Sequence, residues 1–181
     1  MSDTDTHDDA PNVTSKDLQG ERQLASRSAT INRPAQELYA FWRNFSNLAQ
    51  IMDNIVSIEM LDETRSHWVV KGPAGQTYEW DALVTNDVPG REITWTSDSQ
   101  ADVANSGRIL FEEVAGRGTV VTATIAYEPP MGALGKVVVK VLQREPHVQA
   151  RRDLRRFKQL METGEIATNV RNRRMLEEEG K

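Results

Sequence analysis

A chain of 181 residues suits one domain, and its 22 Lys and Arg against 27 Asp and Glu give a formal net charge of -5, which argues against general nucleic-acid affinity. It contains no cysteine, so disulfides, thiolate nucleophiles and cysteine-based metal sites are excluded. Apolar runs such as Val137, Val138 and Val139, broken by Lys140, fall far below the roughly 20 residues needed to span a bilayer, and the acidic start carries no signal pattern; a cytoplasmic protein is expected.

The first 20 residues are rich in Asp, Thr, Ser, Asn and Gly and are expected to form a disordered acidic tail. From 23 to 32 the chain alternates weakly. Leu24, Ser26, Ser28 and Thr30 fall on one side, Ala25, Ala29 and Ile31 on the other, predicting a first strand able to sit at a sheet edge. Asn32, Arg33 and Pro34 mark a helix start, because the missing N–H of proline would be unpaired there in any case. Leu38, Phe41, Trp42 and Phe45 follow at helical spacing and predict a buried aromatic face for a helix over 34–44. Ser46 is the predicted cap of a second short helix, 46–52, with Leu48, Ile51 and Met52 inward.

Six alternating runs follow, at 55–61, 67–72, 77–86, 92–97, 107–114 and 119–127. Turn-forming stretches at 62–65, 73–76, 88–91 and 115–118 and a loop at 98–105 separate them. Short strands at this spacing predict an antiparallel sheet with one buried face. In the third run Tyr78, Trp80, Ala82 and Val84 share one face, and Thr77, Glu79, Asp81 and Leu83 the other. Glu128, Pro129 and Pro130 end the sheet. A helical pattern over 132–142 carries Leu134, Val137, Val138 and Val141 as its apolar stripe. Pro146 either kinks that helix or restarts it. Val148, Leu154, Phe157, Leu160 and Met161 continue inward until Gly164 stops the helix. Residues 166–181 form a polar, charged tail. The domain therefore runs from 21 to 165. Its order of parts lets a curved antiparallel sheet wrap one long C-terminal helix and leave a cavity between them, an α+β architecture.

The order of parts and several local stretches resemble the helix-grip superfamily, which includes START lipid-transfer domains, polyketide cyclases and plant pathogenesis-related proteins. More narrowly, the chain is similar to the bacterial polyketide cyclase/dehydrase and lipid-transport branch. The resemblance is carried by Ile31-Asn32-Arg33-Pro34, by Leu38-Tyr39-Ala40-Phe41-Trp42, by His67-Trp68 and by Gly72-Pro73-Ala74-Gly75. Glu79-Trp80-Asp81, the stretch from Ile93 to Trp95, Tyr127 to Pro130, Gly132-Ala133-Leu134-Gly135 and Asp153 to Glu165 continue it. It covers about residues 23–165 and implies a fold strongly and a chemistry weakly. Members hold apolar or aromatic molecules in the cavity between sheet and helix, so the resemblance implies a binder or carrier of a small hydrophobic molecule, such as a lipid, isoprenoid or polyketide-like compound. The alternatives are a cyclase or dehydrase and an interaction module.

Three residues are candidates for catalysis. Glu79 and Asp81, two apart on a strand, point the same way with side chains roughly 7 Å apart and could do acid/base work if one were desolvated. The stronger reading puts them on a solvated face, because Tyr78 and Trp80 on the opposite face make the better core. His67 is the one histidine inside the sheet. No HxH or HExxH spacing and no phosphate-binding loop occurs, so neither metal nor cofactor is expected. The aromatic residues are the better lead: Trp42, Trp68, Tyr78, Trp80, Trp95, Phe111 and Tyr127 fall on or near predicted buried faces. Leu134, Val138 and Val141 would add a helix wall, with 131–134 as a gate. Arg151, Arg155 and Lys158 have the spacing of a single basic stripe that could touch an anionic surface, although such a run is usually the solvated side of an amphipathic helix.

Overall fold

The computed structural model describes residues 23–72, 75–128 and 145–166. The expected acidic tail, the helical pattern at 132–142, the gate at 131–134 and the polar tail beyond 166 lie outside the described residues. Seven antiparallel strands form one sheet in the order β1-β7-β6-β5-β4-β3-β2. They are β1 (Gln23–Ile31), β2 (Ile55–Met60), β3 (Arg65–Lys71), β4 (Thr77–Val88), β5 (Glu92–Ser97), β6 (Asn105–Val114) and β7 (Gly118–Tyr127). From β2 to β7 each strand pairs with its sequence neighbour, and β1 closes the order by pairing with β7. This is the expected α+β helix-grip arrangement: a curled half-barrel with a C-terminal helix.

Helix α1 (Ala35–Arg43) follows β1. Pro34 stands at its N-cap and has no capping side chain; Glu113 of β6 supplies the acceptor instead, taking the Ala35 N–H at 3.1 Å. A carboxylate suits the positive end of a helix. The second short helix differs from expectation. It is a 3-10 segment, Phe45–Gln50, capped by the backbone of Asn44 and not by Ser46. Its tighter winding still buries Phe45, Leu48 and the following Ile51.

The long helix α2 (Glu145–Thr163) packs along β1. Pro146 lies at the N-terminal end of the described part of this helix. Gly164, at φ 76°, ends it with its N–H on the Leu160 carbonyl. Arg33 fastens that end, donating from Nε to the Met161 carbonyl at 2.7 Å. Leu154 and Phe157 point into the core. Phe157 meets Trp42 edge-on, with ring centroids 5.1 Å apart, and Phe41 at 5.3 Å. The apolar stripe read from the sequence thus joins α1 to α2 across the concave face of the sheet.

Candidate functional site

Small and large side chains alternate on that concave face, and the contrast makes room. Ala25, Ala82 and Ala123 face inward from β1, β4 and β7, leaving a cavity of about 400 Å³ between the sheet, the short helices and α2. Larger groups at these positions would fill it. Seven aromatic rings share the rest of the wall with aliphatic and a few polar side chains. All four tryptophans of the chain, Trp42, Trp68, Trp80 and Trp95, line the cavity with Tyr78 and Tyr127.

Local sequence fixes these rings. Trp68 and Trp80 are cross-strand partners on β3 and β4 and lie nearly parallel, 6.1 Å apart with 9° between their planes. The Trp68 indole donates to Ser66 Oγ at 2.8 Å, so its one polar atom is satisfied inside the wall. Trp95 lies over its β6 partner Gly107, where any Cβ would overlap the ring. Tyr78 likewise lies over Gly72. Glycine at both places permits the close approach.

Six of the aromatic residues expected at the site are therefore together there. Phe111 is not. It is buried beneath α1, edge-on to Tyr39 with ring centroids 6.1 Å apart, because β6 has passed the cavity by that point and runs under the helix. Leu134, Val138 and Val141 lie outside the described residues.

The acid/base candidates Glu79, Asp81 and His67 lie together on the opposite face of the sheet. None lines the cavity. Strand alternation that turns Trp68, Tyr78 and Trp80 inward turns these three outward. His67 Nδ1 lies 2.7 Å from Asp81 Oδ1, its Nε2 3.8 Å from Glu79, and Arg65 is 3.3 Å from Asp81. Together they make a partly exposed polar patch whose members contact one another. Arg151 and Arg155 are exposed and Lys158 half-buried, as expected of an amphipathic helix's outer side, while Arg156 turns inward to pair with Asp53.

The polar residues of the wall, Asn54, Lys71, Asn105, Gln149 and Asp153, are not candidates in the sequence, and Asp153 matters most among them. Asp153 on α2 is 7% exposed and lines the wall. Its carboxyl is pushed up to about 7, first by burial; Arg156 opposes the shift, Asp53 adds to it, and Arg152 opposes it. Burial also raises the Tyr127 hydroxyl. Asp153 hid as the lone acid amid Arg151, Arg152, Arg155 and Arg156. The signal was its helical spacing: Ala150, Asp153 and Phe157 fall on one face. Among the described residues no group of three or more His, Asp or Glu could hold a metal ion, and no helix is long and apolar enough to cross a membrane.

A curled sheet gripping a C-terminal helix around an aromatic cavity defines a helix-grip protein. The family model for polyketide cyclase/dehydrase and lipid transport matches residues 31–152, and the chain belongs to that family. Among solved structures it is similar to a Deinococcus radiodurans protein, with 39% identity and a TM-score of 0.63 over 78% of this chain and 99% of that one. The Zhui aromatase/cyclase from Streptomyces sp. R1128 shares the fold at 16% identity and a TM-score of 0.59, over 81% of this chain and 99% of that one. So does a START superfamily protein from Mycobacterium smegmatis, at 16% identity and a TM-score of 0.57, over 76% of this chain and 98% of that one. No curated protein matches significantly.

Proposed function

We propose that this protein binds and carries a small apolar or aromatic molecule in the cavity between its sheet and α2. One observation carries the reading: the cavity of about 400 Å³ takes in every tryptophan of the chain. Apolar, ring-lined spaces of this size, with few polar groups, are the usual form of small-molecule sites. Membership of a family named for cyclisation, dehydration and lipid transport supports it. Native mass spectrometry on protein purified gently from its own cells, with solvent extraction of anything bound, tests it. A defined apolar adduct is expected. An apo mass, together with no saturable binding of any apolar probe, would overturn it.

A cyclase- or dehydrase-type reaction is the second reading. It is favoured by Asp153, a carboxyl inside the cavity pushed up to about 7, since a group poised near the working pH serves best in proton transfer. Turnover of the extracted compound by the wild type and not by Asp153→Asn would support it.

A further inference from the structure

The cavity is polar at one corner. There Asp53 and Asn54, just past the 3-10 segment, meet α2: Arg156 pairs with Asp53, and Asp153 lies one turn earlier on the helix. Asn54 and Asp153 both line the cavity. Asn54 Oδ1 is buried and has no hydrogen-bond partner among the described residues. Asp153 is more than nine-tenths buried. A carboxyl lining an apolar space is costly unless a hydrogen-bond partner reaches it, and Asn54 Oδ1, shielded beside the cavity, is a second acceptor without a donor among the described residues.

The charges around this corner narrow the kind of donor. Arg152 and Arg156 on α2, with Lys71 at the end of β3, supply positive charge; Asp53 and Asp153 supply negative. The neutral Tyr127 faces the same cavity from β7. A cationic head would meet the two arginines and the lysine, and an anionic head the two aspartates. A neutral donor meets neither repulsion.

We propose, building on the cavity reading above, that the ligand presents a neutral hydroxyl, phenolic or alcoholic, from an apolar or aromatic body, and that the Asp153 carboxyl, with Asn54 beside it, accepts its hydrogen bond. The body lies among the tryptophans and the hydroxyl marks the end next to α2. Such a head also couples binding to pH. A hydroxyl donor favours the ionised, purely accepting form of Asp153. A ligand without a donor only dries the carboxyl and favours its neutral form. Across neutral pH the two kinds of ligand change affinity in opposite directions.

The test is isothermal titration of the full chain with 1-naphthol and with 1-methoxynaphthalene, in which a methyl group replaces the donor hydrogen, at pH 6 and pH 8. We expect 1-naphthol to bind about tenfold tighter at pH 8. Its lead should shrink at pH 6 and vanish in the double variant Asn54→Leu, Asp153→Leu. Equal, saturable binding of both probes by the wild type would overturn the hydroxyl assignment and leave the cavity reading standing. Binding of neither would overturn both. The wild-type comparison decides the matter even if the variant fails to fold.

Discussion

The two faces of β3 and β4 are made by the same seven cross-strand pairs, yet they are built for opposite tasks. On the outer face His67, Glu79, Asp81 and Arg65 satisfy one another in solvent. On the inner face Trp68, Tyr78 and Trp80 line the cavity. Motif-like charge clusters draw the eye in a sequence, but a cluster whose members neutralise each other in water has little left with which to bind or catalyse. The inner face keeps unspent capacity: apolar area open to a ligand, and an acid held away from its ordinary state.

That contrast can be broken at its structural base first. Phe157 is fully buried between Phe41 and Trp42. Phe157→Ala is expected to cost about 3–5 kcal/mol, read from chemical denaturation, and to detach α2 from the cavity.

Asp153 gives the next largest effect, and its sign is fixed by linkage. Its carboxyl rises from 3.8 to about 7 on folding, so between those values the folded state holds a proton that the unfolded state has released. The resulting penalty is absent below about pH 4, grows as pH rises, and is complete above about pH 7. Asp153→Asn should therefore stabilise the protein at pH 8 by up to about 4 kcal/mol and leave it nearly unchanged at pH 4. Thermal melts across that range check it.

Filling the cavity sharpens the comparison. Ala82→Leu places bulk in the space and is expected to weaken binding of 1-methoxynaphthalene at least tenfold, by about 1.4 kcal/mol or more. Its cost to stability should fall below the about 1–3 kcal/mol of overpacking a filled core. Calorimetric titration and denaturation together test this. The smallest effects belong to the outer face: Glu79→Gln and Asp81→Asn should each change stability by less than about 1 kcal/mol and leave probe affinity unchanged.

Much of this was legible in the sequence because strand alternation and turn chemistry are local. The residues of β4 were sorted onto their two faces correctly, and Gly164 marked the end of α2. What was hidden depended on long-range shape. Phe111 has the right periodicity for the inner face, but only the path of β6 beneath α1 removes it from the cavity. The strand β4 runs to Val88 because an irregularity between Val84 and Asn86 keeps it paired with β5, which alternation alone does not announce. Asp153 is one acid among arginines in the sequence, and only the packing of α2 against the sheet turns it inward.

The most direct measurement uses the four tryptophans as reporters. Fluorotryptophan incorporated at Trp42, Trp68, Trp80 and Trp95 gives four fluorine resonances, all from the wall of the cavity. Titration with 1-methoxynaphthalene is expected to shift them along one saturable curve, and Ala82→Leu is expected to abolish the shifts. Resonances that stay fixed up to the solubility limit of the probe would contradict a ligand-binding cavity.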